Sequence, residues 1–121
     1  MIDFDEKINK IKEEQETTNI DYSFTIERIN ILKTISFTFD KLSEGEMKQV
    51  KKLIEEEIKL SKNYDETKSI YKKSMEQGNG LINFERDLKI RKDRVNNVHA
   101  YLENLLYNTY KRDYTNQRGD R

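Results

Sequence analysis

The amino-acid sequence predicts an all-α protein, an elongated helical bundle built on a long antiparallel helical hairpin. Two observations predict this fold class. The 121 residues contain no proline and only four glycines, so long stretches carry no strong helix breaker. Charged residues make up 38% of the chain and hydrophobic residues 34%, a composition that buries apolar stripes between helices and not a thick globular core. We therefore expect helices near 2–16, 21–42, 44–77 and 81–113.

The N-terminal third allows two interpretations. Near its start, three apolar residues have helical spacing: Phe4, Ile8 and Ile11. Residues 22–42 are the most apolar part, and on a helical projection their apolar side chains form two opposite stripes, as in a helix buried between two partners. The rival interpretation is β, because 22–26 and 35–39 alternate polar and apolar residues of high strand propensity. The sequence therefore leaves two predictions for residues 22–39, one helix or two short strands.

A long helix is predicted over 44–77. Ser43 and Glu46 form the S-x-x-E capping-box pattern that starts a helix. Opposite charges at four-residue spacing then support its exposed face, and we expect Glu55–Glu57 to lie on that face. The helix is expected to stop at 78–80 (Gly-Asn-Gly), because glycine readily adopts the left-handed backbone of a helix C-cap.

The clearest pattern in the chain follows these glycines. Apolar residues recur at alternating spacings of three and four, which is the seam of a coiled coil. This ridge consists of Leu81, Phe84, Leu88, Val95, Val98, Leu102 and Leu105. Two long helices joined by a short glycine turn form an antiparallel hairpin, which by itself buries little of its apolar surface. We therefore expect the ridge to contact a protein partner, most simply a second copy in a homodimer.

The sequence predicts one domain in three parts: an N-terminal helical region at 1–43, the hairpin at 44–115 and a flexible tail at 116–121. Charge is segregated along it. Residues 1–43 carry 9 acidic and 6 basic side chains, and residues 81–121 carry 6 acidic and 9 basic ones. These regions would attract each other, within one chain or head to tail between two. The net charge is zero, which argues against a whole-molecule attraction to nucleic acid or to an anionic membrane.

Few side chains point to catalysis or metal binding. The chain has no cysteine and a single histidine, His99, which we expect to form an exposed helix pair with Glu103. It contains no zinc-protease, nucleophile-elbow or phosphate-loop motif. We therefore predict no catalytic residue, no metal site and no cofactor.

One segment resembles a DNA-binding motif. The apolar residues of 88–100 are spaced as in a helix-turn-helix, and Ile90 lies off the heptad ridge while Arg91 lies on it, as a turn there would produce. The resemblance implies that 81–106 bind DNA through basic and amide side chains: Arg91, Lys92, Arg94, Asn96 and Asn97. The alternative is an uninterrupted helix with one polar layer.

Two further patterns also concern nucleic acids. Residues 35–39, followed by a helix from Ser43, are similar to a ribbon-helix-helix, which implies that Ser36 and Thr38 point into the major groove. Near the C-terminus, tyrosines alternate with basic residues over 107–118, a pattern that could stack on single-stranded bases or dock on an acidic protein. The alternative for this stretch is a solvated helix end.

The sequence as a whole predicts a non-enzymatic protein-binding protein, such as an assembly, scaffold or inhibitory factor. A cytoplasmic location without a membrane contact is expected, because the N-terminus is acidic and no apolar run is long enough to span a bilayer. Lys, Ile and Asn are frequent while Ala occurs once, a usage typical of low-GC bacteria and their phages and plasmids. The second interpretation is a DNA-binding transcriptional regulator that uses the helix-turn-helix at 81–106.

Overall fold

The computed structural model describes the backbone of residues 2–76 and 83–119, and the side chains of 2–76 and 83–111. In these ranges the elements are α1 (Phe4–Thr18), α2 (Ser23–Ile35), a 3-10 helix (Ser36–Lys41), α3 (Glu44–Glu76) and α4 (Phe84–Gly119). The described residues form no β strand, so the all-α prediction is confirmed. The predicted glycine turn at 78–80 and the ridge residue Leu81 lie outside the described residues.

Local signals in the sequence explain both ends of α1. The carboxylate of Asp3 caps its first turn and accepts a hydrogen bond from the backbone N–H of Glu6 at 3.0 Å. The helix ends where Asn19 adopts the left-handed conformation, with φ of 58°, a common C-cap. The three apolar residues predicted to share one face are buried: Phe4, Ile8 and Ile11.

The α-helix α2 lies between α1 and α3 and contacts both. At Ser36 it tightens into the 3-10 helix. The backbone N–H of Leu42 donates to the carbonyl oxygen of Phe39 at 3.1 Å, which is the three-residue spacing of a 3-10 helix. The hydroxyl groups of Thr34, Ser36 and Thr38 also donate to the carbonyl oxygen three residues earlier, at 2.6, 2.7 and 2.8 Å, a local contact that Ser and Thr make in helical segments. The β interpretation of 22–39 is therefore wrong, and so is the strand that a ribbon-helix-helix requires.

The two long helices, α3 and α4, run antiparallel. Glu46, near the start of α3, contacts Thr109 of α4 at 2.9 Å, whereas Glu57, farther along α3, contacts His99 at 2.9 Å. The predicted capping box at the start of α3 is confirmed. The Ser43 hydroxyl accepts from the N–H of Glu46 at 3.2 Å, and the Glu46 carboxylate accepts from the N–H of Ser43 at 3.0 Å.

The apolar core forms where α1, α2, the first half of α3 and the second half of α4 meet. Its buried members are Phe4, Ile8, Ile11, Tyr22, Ile29, Leu32, Val50, Ile54 and Leu102. Beyond Ile54, the buried positions of α3 are polar: Glu57, Ser61 and Asp65. The core therefore changes from apolar to polar along α3.

Candidate functional site

Three polar side chains face the interior along one side of α3, and we call them the buried polar row: Glu57, Ser61 and Asp65. They follow one another at about one-turn spacing, so they continue the inward face of the helix. Buried polar groups need hydrogen-bond partners. The Ser61 hydroxyl donates to the backbone carbonyl of Glu57 at 2.7 Å. The carboxylates of Glu57 and Asp65 instead accept hydrogen bonds from residues of other helices.

Glu57 is contacted by side chains of α2 and α4. Its Oε2 accepts a hydrogen bond from Nε of Arg28 at 3.1 Å, and its Oε1 lies 2.9 Å from Nδ1 of His99. The second ring nitrogen of His99, Nε2, lies 2.7 Å from Oε1 of Glu103. A carboxylate only accepts hydrogen bonds, so both contacts of His99 are hydrogen bonds when both ring nitrogens carry a hydrogen. Glu57 thus joins three helices.

This arrangement corrects two expectations from the sequence. Glu55 and Glu56 are exposed as predicted, but Glu57 is fully buried. His99 and Glu103 do pair, yet the His99 side chain is only 12% exposed because it also reaches Glu57. No local pattern signals this, since the partners of Glu57 come from helices that are distant along the chain.

Asp65 caps the start of α2 from a different helix. Its Oδ2 accepts from the backbone N–H of Thr25 at 2.9 Å and from the Thr25 hydroxyl at 2.7 Å. The N-cap residue of α2, Tyr22, makes no side-chain capping bond, so Asp65 satisfies an N–H in the first turn that has no partner within the helix. Burial raises the pKa of Asp65 above its ordinary value of 3.8. The hydrogen bonds from Thr25 lower the pKa, but the effect of burial is larger.

Tyr22 anchors the junction between α1 and α2. Its ring is buried, its backbone N–H donates to Oε1 of Gln15 at 2.9 Å, and its hydroxyl donates to Oε2 of Glu66 at 3.1 Å. Burial raises the pKa of Tyr22 to about 12, and the hydrogen bond to Glu66 and the charge of that residue act in the same direction. The pKa of the Tyr22 hydroxyl is therefore higher in the folded chain than in the unfolded chain.

We expect the free energy of unfolding to fall as the pH rises from 10 towards 12. The unfolded chain releases the Tyr22 proton near the ordinary pKa of 10.0, whereas the folded chain holds it to about 12, so ionisation favours unfolding in this window. In a Tyr22→Phe variant the fall should be shallower. Urea unfolding at a series of alkaline pH values measures the slope. The exposed-site control Tyr101→Phe should follow the wild type, and equal slopes for all three proteins would contradict the prediction.

Six of the seven ridge residues predicted to contact a partner are described, and this chain buries them to different degrees. Val95 and Leu102 are fully buried. Four others are half-buried: Phe84, Leu88, Val98 and Leu105. Leu81 is outside the described residues. Val95 and Leu102 are thus covered by the chain itself, and a partner is not needed to shield them from water.

The helix α4 runs without interruption from Phe84 to Gly119, so the turn of the predicted helix-turn-helix is not formed. Four of the five residues predicted to contact DNA are exposed: Lys92, Arg94, Asn96 and Asn97. The fifth, Arg91, donates to Asp87 at 3.1 Å and also bonds Asn63 on α3. Arg91 is the polar layer of a continuous helix and helps to hold α4 against α3.

A groove that the sequence did not reveal lies between the 3-10 helix and the C-terminal part of α4. We call it the aromatic groove; its volume is about 470 Å³. Its main apolar lining residues are Ile35, Phe37, Leu106, Tyr107 and Tyr110. Phe37 is 76% exposed, Tyr107 62% and Tyr110 69%. The one-turn spacing of Tyr107 and Tyr110 was visible in the sequence, but nothing there connected them to Phe37.

The buried polar row and the aromatic groove differ in what they can do chemically. Glu57 and Asp65 are covered from solvent and bonded by groups of this chain, so the row orients α2 and α4 on α3. No set of three or more His, Asp or Glu side chains among those described could hold a metal ion. The groove, by contrast, is open to solvent, so another molecule can reach its exposed aromatic rings.

Comparison with known proteins identifies no relative: no family model, no curated protein and no solved structure matches this chain. None of the helices within residues 2–76 and 83–119 combines the length and the apolar character needed to cross a membrane.

Proposed function

We propose that this chain is a non-enzymatic protein-binding module that docks a partner protein at the aromatic groove. The observation that carries the proposal is the exposure of three aromatic rings, those of Phe37, Tyr107 and Tyr110, around one groove. Contiguous exposed apolar surface marks interaction sites. Aromatic side chains are enriched in the buried centres of protein interfaces, where they contribute much of the binding energy.

Contacts within this chain hold both walls of the groove. On the α4 side, the buried Thr109 donates its hydroxyl to Oε2 of Glu46 at 2.9 Å. On the other side, the Thr38 hydroxyl donates to the carbonyl oxygen of Ile35 at 2.8 Å. A surface that is ordered before binding loses less conformational entropy when the partner docks. This favours recognition of a protein by a preformed shape.

The charges at the groove also favour a protein over a nucleic acid. The lining includes one basic and one acidic side chain, Lys41 and Glu103. Binding to a phosphate backbone depends on several basic side chains that act together. Among the described residues the groove offers only Lys41, and the nearby Glu103 carries the opposite charge. An assembly, scaffold or inhibitory factor would use such a groove. A cytoplasmic location and a phage or plasmid origin stay predictions from the sequence.

We expect a Tyr110→Glu variant to lose the bound partner. A carboxylate on the wall of the groove would have to be desolvated against apolar side chains on docking, which opposes binding. Affinity capture from native lysate, with the wild type and the variant as tagged baits, measures the stoichiometric partner retained by each.

The matched control is Tyr101→Glu. Tyr101 is a tyrosine on the same helix with nearly the same exposure, 68% against 69% for Tyr110, and it does not line the groove. This variant should retain the partner. If both variants lose the same partner, or if neither does, the groove is not the docking surface.

A further inference from the structure

We propose that the occupant of the aromatic groove is a second copy of this chain, in a two-fold symmetric dimer. The inference rests on the proposed function, because it names the partner protein that the groove binds. In a two-fold interface both copies use the same surface patch. That patch must therefore carry a projection and a recess that fit each other.

The groove has both features. Phe37 stands on the wall formed by the 3-10 helix and is 76% exposed, the largest exposure among the large hydrophobic side chains described. The facing wall is formed by α4, with Leu106, Tyr107 and Tyr110. A two-fold rotation about an axis through the groove brings Phe37 of each copy against the α4 wall of the other. The Phe37 rings of both copies are then removed from water and buried against an apolar surface.

The charges of the groove are complementary under the same rotation. Lys41 belongs to the 3-10 wall and Glu103 to the α4 wall. Glu103 contacts His99 through Oε1, but its side chain stays 60% exposed and can accept a further contact. When the 3-10 wall of one copy meets the α4 wall of the other, Lys41 of each copy lies on the same side of the interface as Glu103 of the other. The whole chain has a net charge of zero, so two copies do not repel each other at long range. A strongly acidic or basic partner would gain nothing from a groove that carries one charge of each sign.

The first test is the oligomeric state of the full chain. Sedimentation equilibrium from low micromolar to several hundred micromolar protein should show a reversible monomer–dimer equilibrium. Tyr110→Glu should weaken dimerisation by about tenfold or more, as for an aromatic residue at the centre of an interface. Tyr101→Glu, with matched residue type, helix and exposure, should leave dimerisation unchanged. Circular dichroism and thermal unfolding verify that both variants fold.

The second test locates the contact by cross-linking. The chain has no cysteine, so single-cysteine variants carry one reactive thiol each. A mixture of Phe37→Cys and Tyr107→Cys proteins, treated with a short bismaleimide, should give a mixed covalent dimer. A mixture of Phe37→Cys and Tyr101→Cys proteins should give much less. Equal yields from the two mixtures would overturn the proposed arrangement.

The outcomes separate this inference from the proposed function. A wild-type chain that stays monomeric across the whole range overturns the second copy as the occupant. If that monomer still captures a partner that Tyr110→Glu loses, the groove binds a different protein and the proposed function stands. If it captures none, both proposals fail. Equal weakening of the dimer by Tyr110→Glu and Tyr101→Glu would show that the copies meet elsewhere.

Discussion

Replacing Glu57 by alanine is expected to lower the free energy of unfolding by about 3–5 kcal/mol, the usual result of removing one partner of a buried ion pair. The carboxylate is fully buried and accepts from Nε of Arg28 at 3.1 Å. Without it, the guanidinium of Arg28 stays largely inside the bundle with no counter-charge, and its Nη2 already lacks a hydrogen-bond partner among the described residues. Urea denaturation followed by circular dichroism measures the loss.

The neighbouring Glu56 provides a matched control. It has the same side chain on the same helix but is exposed, so Glu56→Ala should change stability by no more than about 0.5 kcal/mol. Glu57→Gln keeps the shape of the side chain and removes its charge, and we expect a loss between those of the two alanine variants. Equal losses for Glu57→Ala and Glu56→Ala would show that the buried carboxylate does not hold the helices together.

Replacing Asp65 by alanine is expected to lower the free energy of unfolding by about 2–4 kcal/mol, because two buried donors lose their acceptor. These donors are the backbone N–H and the hydroxyl of Thr25, at 2.9 and 2.7 Å from Oδ2 of Asp65. Thr25 is fully buried, so water does not replace the carboxylate without a rearrangement. The start of α2 should lose protection first, and amide hydrogen exchange across 23–27 measures this.

A double-mutant cycle tests whether the effect passes through Thr25. In the wild-type background, Thr25→Ala removes the hydroxyl that donates a hydrogen bond to Asp65. In the Asp65→Ala background that hydrogen bond is already absent. The cost of Thr25→Ala should therefore be smaller in the second background, by about 1 kcal/mol. Strictly additive costs would show that Asp65 acts on stability by some other contact.

The buried polar row also bears on the aromatic groove. The pair of Glu57 and His99, with the bond from Thr109 to Glu46, determines how far α4 is shifted along α3. That position places Tyr107 and Tyr110 opposite Phe37. Polar contacts inside a bundle accept fewer alternative alignments than apolar ones, because a shift by one turn would leave charged groups unpaired. These two contacts therefore hold α4, which carries one wall of the groove, in register with α3.

Sequence reasoning worked where a structural feature depends on close neighbours in the chain. The capping box of Ser43 and Glu46 was predicted and is confirmed. The burial of Phe4, Ile8 and Ile11 follows from their spacing in the same way. In both cases all participating residues lie within two or three helical turns, so the pattern is complete in a short stretch of sequence.

Sequence reasoning failed where the environment comes from a distant segment. Glu57 follows two exposed glutamates, and nothing near it in the chain shows that Arg28 and His99 meet it inside the bundle. The 3-10 helix at 36–41 was open to a β interpretation, because alternating threonine and phenylalanine side chains suit a strand as well. In the structure this segment packs against α4, a contact that residues 36–41 alone do not indicate.

By itself, the sequence determined that the protein is mainly helical, where α3 begins, and which apolar side chains occupy the inner face of α1. These properties depend on interactions between residues one to four positions apart, which any short stretch contains. Only the tertiary structure decided which charged groups are buried and which aromatic rings share a groove. Those properties arise when helices from separate parts of the chain exclude water between them, and no local pattern records which helices will meet.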